Sequence, residues 1–408
     1  MKSIKILHTA DWHIGKHLHK FSLEEEFLLF IDWLKSTIQK ENIDVLLVSG
    51  DIFDYANPTN HDIQLYYKVL VDLHILDIQI IITGGNHDSP SMLNAPREIL
   101  EKMNISVIGA LSSEWEDHLI PVMNEGETVA VIIAVPFLRE KDIRKSRSLQ
   151  ENNSFSEESD TPIQNIYTSL VNLSREKYGL SPSLLAMGHL HLFGSVTSDS
   201  EREIHIGNLG GLPSSIFSHD IDYVALGHIH KPQKINGKQP IYYSGSPIFL
   251  DFSERDYEKK LMVVELKASK EIVIEKLPIP TFRKLLKVSG NIHEVAKKLV
   301  NLNKETNLLP SFIELEVNPE TNPLEEKKIL NEIMEEYIDS PTITILKSRF
   351  IQLISSDVLL TSSDQLKHIE EMSPKQVFQR LLESKNVDSN SIKPLEIAFM
   401  ELVENLHD

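Results

Sequence analysis

Five short clusters of carboxylate, amide and imidazole side chains carry the chemistry that this sequence offers. In chain order they are Asp11-Trp12-His13, Gly50-Asp51-Ile52-Phe53-Asp54, Gly85-Asn86-His87-Asp88, Gly188-His189-Leu190-His191 and Gly227-His228-Ile229-His230. Oxygen and imidazole ligands without sulfur suit divalent ions such as Mn²⁺, Fe²⁺ or Zn²⁺. If the fold brings the clusters together, they predict a divalent-metal site.

Each cluster closely follows an apolar run that is typical of a buried strand. The runs with their clusters read KILHTADWH, DVLLVSGD, QIIITGGNH, LLAMGH and DYVALGH. In α/β sheets, ligands bind at the carboxyl ends of the strands, where the loops diverge over a rigid support. One cluster alone is weak evidence, because histidines at strand ends often only hydrogen-bond to nearby carbonyls. The ordered set favours one shared metal crevice.

The spacing of these residues indicates how a pair of ions could be held. A doublet such as His228 and His230 places both side chains on the same side of an extended segment. Two metal ions roughly 3.5–4 Å apart need a bridging ligand, and Asp51 on its tight glycine turn is the natural candidate. Such a pair lowers the pKa of a shared water and holds phosphate oxygens during in-line attack. The clusters therefore predict hydrolysis of a phosphoester.

The elements that must position these clusters are short apolar strands that alternate with helices. The predicted strands are Ile4–Leu7, Val45–Val48, Ile78–Ile82, Val129–Val135, Leu184–Met187, Tyr223–Leu226, Ile241–Tyr243, Leu261–Leu266 and Ile272–Ile274. The predicted helices are Leu23–Lys40, His61–Leu76, Ser91–Met103 and Ile163–Tyr178. Most strand runs are continuously apolar, which is expected of strands buried on both faces of a layered α/β fold.

A smaller α/β pattern begins after Pro278 and Pro280. It is predicted to contain strands Phe282–Val288, Phe312–Val317 and Thr342–Phe350 and helices Ile292–Val300 and Pro323–Ile338. After Met372, a Ser-Pro helix start and two amphipathic stretches predict C-terminal helices. These helices either pack on their own domain or present an apolar stripe to a partner.

Composition limits the class of protein. The chain has 408 residues, which is too long for one average core, and its 41% hydrophobic content is ordinary for a globular protein. No apolar run approaches the roughly 20 residues that span a bilayer, and the start has no signal-peptide pattern. The absence of cysteine excludes disulfides, thiolate metal sites and cysteine nucleophiles. Together these features predict a cytoplasmic protein without a membrane segment.

The net charge of −19 is unusual for a protein that would bind DNA alone. A nuclease of this charge needs a local basic patch, bound metal cations or a partner that holds the DNA, and the last two together are favoured. Acidity that serves only solubility is an equally good interpretation of charge by itself. The best local patch consists of Arg139, Lys141, Arg144, Lys145 and Arg147, within the polar segment 139–160. Acidic residues follow it closely, so a solvated surface loop is favoured there.

The order DxH, GDxxD, GNHD, GH and GHxH resembles the motif set of the calcineurin-like metallophosphoesterase superfamily. Within it, the segments ILHTADWHIGK, LLVSGDIFD, TGGNHDS, VPFLREKDI, AMGHL, DYVALGHIHKPQ and YYSGSPIFLDFSE resemble the bacterial DNA repair nucleases of the SbcD type. This resemblance implies a layered β-sandwich core flanked by helices, with a small α/β capping domain and C-terminal helices. The implied boundaries are 1–277 for the nuclease domain, 281–352 for the capping domain and 372–408 for a helical segment.

The resemblance also implies the role of each site residue. One ion would be held by Asp11, His13, Asp51 and His230, and the other by Asp51, Asn86, His189 and His228, with Asp51 as the bridge. His87 would be the general acid or electrostatic stabiliser of the leaving oxygen. The carboxylate of Asp54 would hold the His87 imidazole and favour its imidazolium form. His191 is expected in the outer shell or at the surface, and Asp88 is expected to orient the turn.

The resemblance implies a manganese-dependent nuclease with two divalent ions, acting on double-strand DNA ends and on hairpins. Its partner would be the coiled-coil ATPase SbcC, docked on the C-terminal helices, in a heterotetramer built on a homodimer of this chain. Two other functions are compatible with a metal crevice: a phosphoesterase for small or protein substrates, and a DNA-end scaffold with a vestigial site. Tyr55-Ala56 after Asp54, and Asp88 in place of glutamate, argue against a protein phosphatase. The full set of seven ligands argues against a scaffold.

Overall fold

The computed structural model of the protein describes residues 3–143, 162–201, 211–267, 269, 271–304, 308–320 and 323–351. In chain order the strands are β1 Ile4–Thr9, β2 His17–Leu18, β3 Phe21–Ser22, β4 Val45–Ser49, β5 Gln79–Thr83, β6 Ile105–Ile108, β7 Leu119–Asn124, β8 Glu127–Ala134, β9 Ser183–His189, β10 Tyr223–Gly227, β11 Gln233–Ile235, β12 Ile241–Tyr243, β13 Lys260–Leu266, β14 Ile272–Pro278, β15 Leu285–Gly290, β16 Ser311–Val317 and β17 Ile343–Phe350. The helices are α1 Glu24–Glu41, α2 Asn60–His74, α3 Pro90–Asn94, α4 Arg97–Glu101, α5 Pro162–Tyr178, α6 Ile292–Leu302 and α7 Pro323–Glu335.

Two six-stranded sheets form the core of the molecule. One has the order β14-β13-β1-β4-β5-β6 and the other the order β11-β12-β10-β9-β8-β7. Apolar residues of the two inner faces, such as Ile6, Leu47 and Ile132, form one buried cluster between the sheets. The alternate residues of the same strands pack on the other side, Leu46 against α1 and α2, and Leu184 against α5. This layering is the predicted β-sandwich flanked by helices.

The central strands of each sheet run parallel, so the residue clusters that follow them can meet. β1, β4 and β5 pair in parallel in one sheet, and β8, β9 and β10 do so in the other. Their carboxyl ends therefore lie at the same edge of the sandwich, and the turn that follows each strand faces a common space. At this edge, Ser49 Oγ of one sheet donates a hydrogen bond to the Ala225 carbonyl of the other, at 3.2 Å.

A separate three-stranded parallel sheet, β15-β16-β17, follows the sandwich and has its own apolar core with α6 and α7. Arg283, just before β15, joins this small domain to the sandwich. Its guanidinium lies 4.1 Å above the Phe312 ring, donates to Glu25 at 2.8 Å and pairs closely with buried Glu26. The predicted C-terminal segment 372–408 lies outside the described residues.

The structure differs from the sequence prediction in several elements. The segment Ser91–Met103, predicted as one helix, consists of α3 and α4, because Pro96 between them lacks a peptide N–H and its ring disfavours continuation of the preceding turn. The short pair β2 and β3 was not predicted from the sequence. Among the strands of the two six-stranded sheets, β6, β7 and β11 were not predicted either. All three are edge strands of their sheets. None of the helices in the described ranges is both long and apolar enough to cross a membrane.

Buried His8 predicts a specific dependence of stability on pH. Burial lowers the pKa of His8 to about 3, and its Nδ1 lies 3.0 Å from the Tyr223 hydroxyl. The unfolded chain has an ordinary histidine there, with a pKa of about 6.5. Between these values only the unfolded state binds the proton. The free energy of unfolding should therefore fall as the pH falls below about 6.5, by about 1.4 kcal/mol per pH unit from this group.

The variant His8→Asn should lose that one-proton slope, as measured by urea unfolding at pH 7, 6 and 5 in the presence of a chelator. The matched control is His219→Asn, because the His219 side chain is 76% exposed. An unchanged slope in His8→Asn, or an equal change in both variants, would contradict the prediction.

Candidate metal centre

The turns at the shared edge of the sandwich have an unusual backbone conformation. Asp11, His13, Asp51 and His228 all have positive φ angles, of 54°, 48°, 49° and 98°. Residues other than glycine populate this region at a cost of about 1–3 kcal/mol each, and they cluster at functional sites. The backbone is held there by cross-loop bonds, such as Asp11 N–H to the Gly50 carbonyl and His13 N–H to the Asp51 carbonyl, both at 3.0 Å. The polar turns are therefore fixed against one another.

Two glycines make the close approach of these turns possible. A Cβ atom at Gly85 would lie 2.1 Å from Asp51 Oδ1, and one at Gly50 would lie 2.1 Å from His189 Nδ1. Both distances are far inside van der Waals contact. Gly50 also has a φ of 84°, which L-residues with side chains rarely adopt. The glycines that precede Asp51 and Asn86 are thus required for the carboxylate and the imidazoles to meet.

Asp11, His13 and His230 form the first group of converging ligand atoms. One ligand atom from each lies within 4.8 Å of the others, and all three residues are buried. The Nε2 atoms of His13 and His230 are 3.2 Å apart. Metal–ligand bonds of about 2.1 Å at angles of ~90–110° separate neighbouring ligand atoms by roughly 3.0–3.4 Å. Asp11 Oδ2 is buried and has no hydrogen-bond partner among the described residues, so this group fits a divalent cation.

Asp51 lies between this group and a second one. Its Oδ2 is 3.7 Å from His13 Nε2 and 3.3 Å from His189 Nε2, while its Oδ1 accepts the His87 peptide N–H at 2.9 Å. Asp11, Asp51 and His189 form a further convergent buried triple. One carboxylate therefore faces imidazoles from both halves of the crevice, which is the arrangement that a bridging ligand requires.

The second group is built around His189. Its Nδ1 donates to the Ser49 carbonyl at 3.0 Å, which directs Nε2 toward Asn86 Oδ1 at 2.9 Å. The ring of His228 lies 5.5 Å from the His189 ring, between centroids, and the His228 peptide N–H donates to Asp11 Oδ1 at 2.8 Å. All seven residues that the sequence predicts as ligands thus line one crevice.

Burial and mutual charge set the protonation states of the seven ligand residues. Burial raises the pKa of Asp11 to about 7, an effect that His189 and His230 partly oppose. Burial lowers the pKa of His13 to about 4, and that of His228 lies well below its ordinary value for the same reason. Burial would also raise the pKa of Asp51, but His189, His87 and His13 hold it well below the usual range. Burial would lower the pKa of His189, but Asp51 and Asp11 raise it to about 9, and Glu254 likewise raises the pKa of His230 against the effect of burial. Metal binds neutral imidazoles and ionised carboxylates, so an ion would displace the protons of His189 and His230.

His87 and Asp54 meet in a way that differs from the sequence prediction. The predicted contact joined the Asp54 carboxylate to the His87 ring. In the structure His87 Nδ1 donates to the Asp54 backbone carbonyl at 2.7 Å, and the nearer carboxylate oxygen is 4.0 Å away. That carboxylate contacts His13 Nδ1 at 3.1 Å and Lys16 Nζ at 3.2 Å instead. It is thus better placed to orient His13, because a partner on Nδ1 fixes which nitrogen faces the crevice.

Several neighbouring residues have structural contacts. The Asp88 carboxylate accepts the peptide N–H groups of Gly85, Ile52 and Phe53 at 2.8–3.1 Å, so it holds two of the turns together. Trp12 is fully buried and donates to Thr9 Oγ1 at 3.2 Å. His191 is only partly buried, and its ring centroid is 6.2 Å from that of His228.

Arg139, from the predicted basic patch, belongs to the wall of the crevice. Its Nη2 donates to the Asp88 carbonyl at 2.8 Å, and its guanidinium lies 5.6 Å from the centroid of the Phe137 ring. Phe137 in turn contacts the His189 ring edge-on. Arg144, Lys145 and Arg147 of the same patch lie outside the described residues.

Three residues behind His230 were not predicted from the sequence, and two of them, Glu254 and Lys259, are buried. Glu254 Oε1 lies 3.0 Å from His230 Nδ1, and Lys259 pairs with Glu254 at 2.6 Å. Glu201 accepts the His230 peptide N–H at 2.8 Å. These residues follow no strand-end pattern, and the only signal for Glu254 was its presence in the segment YYSGSPIFLDFSE.

The family model described as calcineurin-like phosphoesterase matches residues 4–232 of the chain. A curated relative from Rhodobacter capsulatus, named as the SbcD component of the nuclease SbcCD, is 34% identical over 292 residues, which cover 69% of this chain and 71% of that protein. The chain belongs to the SbcD-type calcineurin-like phosphoesterases. A relative of the same name from Escherichia coli strain K12 is 29% identical over 404 residues, or 99% of this chain and 98% of that protein. Another, from Bacillus subtilis, is 31% identical over 287 residues, or 70% and 72% of the two chains.

Membership of this family sets the class of reaction. The chain is a phosphodiester hydrolase of the metal-dependent nuclease type. The aspartate and histidine groups of the crevice fit divalent metal binding, as the family requires.

Proposed function

We propose that this chain is a manganese-dependent DNA nuclease that removes nucleotides from double-strand ends and opens hairpins. The observation that carries the proposal is the position of Asp51, whose Oδ2 lies within 3.7 Å of imidazoles from both halves of a buried crevice. In a chain of the SbcD-type family, this arrangement supports a pair of ions that share one carboxylate.

The proposed ligands divide into two sets. Asp11, His13, Asp51 and His230 hold one ion, and Asp51, Asn86, His189 and His228 hold the other. When bound, the ions supply a nucleophilic water at neutral pH and stabilise the charge that develops on the phosphate oxygens. The ligand set contains no sulfur and combines four imidazoles with an amide and two carboxylates, which disfavours soft thiophilic ions and suits Mn²⁺.

His87 is proposed to act on the leaving oxygen. Its Nδ1 proton is held by the Asp54 carbonyl, so Nε2 is the nitrogen that faces the crevice, 3.9 Å from Asp51 Oδ2. A proton carried at Nε2 can pass to the leaving oxygen as the P–O bond breaks. Asp54 supports the site through both of its polar groups, its carbonyl fixing His87 and its carboxylate fixing His13.

The small α/β domain is proposed to control which DNA ends reach the crevice. His19, in the loop after the first metal cluster, lies 3.4 Å from Glu314 of β16. Together with the contacts of Arg283 to Glu25 and Glu26, this ties the small domain to the segment that directly follows Asp11 and His13. The small domain, fixed beside Asp11 and His13, restricts the approach of wide duplex substrates to the crevice.

The partner is proposed to be an SbcC-type coiled-coil ATPase, since the relatives are named as the SbcD component of the SbcCD nuclease. A partner with basic surface would compensate for the net charge of −19 when DNA binds. The proposed docking segment is 372–408. The proposed homodimer uses the α2 and α4 surfaces, where Val71, Ile75 and Ile99 are 48%, 73% and 67% exposed.

The test is an assay of the purified full-length chain with Mn²⁺ on an end-labelled DNA hairpin and, in parallel, on bis(p-nitrophenyl) phosphate, with and without the ATPase. Cleavage of the hairpin, stimulated by the ATPase and ATP, is the expected result. Cleavage of the small ester alone would identify a small-substrate phosphodiesterase. Cleavage of neither substrate, with the ATPase present, would identify a scaffold.

A further inference from the structure

A buried carboxylate lies directly behind His230, on the side of the ring that faces away from the crevice. Glu254 has no exposed surface, and its Oε1 is 3.0 Å from His230 Nδ1. The other ring nitrogen of His230, Nε2, is 3.2 Å from His13 Nε2. Ser200 Oγ is nearer still, 2.6 Å from the same Nδ1, and it donates its one proton to Glu254 Oε1 at 2.5 Å. Both neighbours of Nδ1 therefore accept, so Nδ1 carries the proton and the Nε2 lone pair points toward the crevice. Glu254 thus fixes the tautomer and the rotation of the ring both directly and through Ser200.

Lys259 balances the charge of Glu254. Its Nζ donates to Glu254 Oε2 at 2.6 Å and to Ser246 Oγ at 2.5 Å, and Lys259 is itself buried. Glu254 Oε2 also accepts the Leu250 peptide N–H at 3.0 Å. A buried carboxylate with this many donors is held rigidly in its ionised form. Lys259 thus maintains an anion behind His230 without leaving an unpaired charge in the core.

The two halves of the crevice differ in how their histidines are supported. In the first half, His13 and His230 each have a carboxylate on Nδ1, from Asp54 at 3.1 Å and from Glu254. In the second half, His189 Nδ1 has the neutral Ser49 carbonyl. A carboxylate behind an imidazole increases its basicity as a ligand, and the removal of such a partner commonly lowers metal affinity about 10- to 100-fold.

We propose that Glu254 is a positioning residue for the ion held by Asp11, His13, Asp51 and His230, and that it sets the affinity of this ion separately from that of its neighbour. The proposal rests on the proposed function, because it needs that group to bind metal. Glu254 acts through His230 and touches neither ion. Replacement of Glu254 should therefore weaken the binding of one of the two ions, whereas disruption of the fold would weaken the binding of both.

The experiment is titration of the metal-free full-length protein with Mn²⁺ by isothermal calorimetry, together with an elemental count of bound manganese. The wild-type chain should bind two ions. In Glu254→Gln, one ion should bind with the wild-type affinity and the other about 10- to 100-fold more weakly. The thermal unfolding midpoint of the metal-free variant, measured in chelator, reports any structural cost independently of the metal.

Two further variants separate positioning from charge balance. In Glu254→Gln/Lys259→Met the buried lysine no longer needs a partner, so recovery of wild-type affinity would show that Glu254 serves only Lys259. The expected result is no recovery. The matched control is Glu316→Gln, a carboxylate that pairs with Lys287 and Arg349 in the small domain and should bind both ions as the wild type does.

The outcomes distinguish the inference from the function on which it rests. A wild-type chain that binds no Mn²⁺ would overturn the proposed function. A wild-type chain that binds two ions, beside a Glu254→Gln variant that binds both equally well or loses both equally, would overturn the role of Glu254 alone. If the variant does not fold, a wild-type crystal soaked in Mn²⁺ decides: ligation through His230 Nε2 with Nδ1 still on Glu254 supports the inference, and ligation through Nδ1 overturns it.

Discussion

The variant Asp51→Asn is expected to lose both metal ions and to reduce cleavage of a DNA hairpin by on the order of 10⁴-fold or more. Asp51 Oδ2 is 3.7 Å from His13 Nε2 and 3.3 Å from His189 Nε2, so it is the oxygen that both ion positions would share. Asparagine offers one neutral oxygen and an NH₂ group that repels a cation. The measurement is an elemental count of manganese per chain after gel filtration, beside the hairpin assay in Mn²⁺.

The control for this variant is Asp44→Asn. Asp44 precedes β4, the strand whose other end leads to Asp51, and its carboxylate accepts the Lys5 peptide N–H at 2.8 Å, at the end of the sheet remote from the crevice. It should keep two ions and hairpin cleavage close to the wild-type rate. An Asp51→Asn protein that still binds two ions with wild-type affinity would contradict the bridging role. Retention of one ion would show that the two positions are independent.

The elements that position the crevice could be predicted from sequence because both faces of the central strands are covered. Val45–Ser49 is buried along its whole length, between the second sheet on one side and α1 and α2 on the other. Such strands give unbroken apolar runs. The edge strands Leu119–Asn124 and Gln233–Ile235 are partly exposed, and their mixed composition carries no comparable signal. Tertiary pairing, rather than local pattern, makes them strands.

The members of the site were equally accessible from sequence, since each follows a strand and a tight turn. Their mutual contacts were not. Whether the Asp54 carboxylate contacts His87 or His13 depends on the rotamer of the Asp54 side chain. In the structure it contacts His13. Glu254 and Lys259 lie 24 and 29 residues after His230 in the chain. Such a contact is fixed by packing, and no spacing within the chain predicts it.

Replacement of the His87 ring is expected to leave both ions bound while slowing DNA cleavage by about 10²- to 10⁴-fold. The peptide N–H of His87, and not its ring, donates to Asp51 Oδ1 at 2.9 Å. In His87→Gln this contact remains, so the bridging carboxylate keeps its position and the manganese count should stay at the wild-type value. What is lost is the proton donor at Nε2. Loss of the metal together with the ring would contradict the assignment of His87 as a residue outside the ligand set.

A change of leaving group isolates the role of that proton. An alkoxide leaves a DNA phosphodiester poorly unless it is protonated, whereas p-nitrophenolate is stable in water and needs no acid. The variant His87→Gln should therefore cleave thymidine p-nitrophenyl phosphate at close to the wild-type rate while it fails on the hairpin. Its pH–rate profile on DNA should also lose the limb that falls at high pH, where the wild-type acid deprotonates. An equal loss on both substrates would mean that His87 acts by stabilising charge on the phosphate, because that charge develops whichever group leaves.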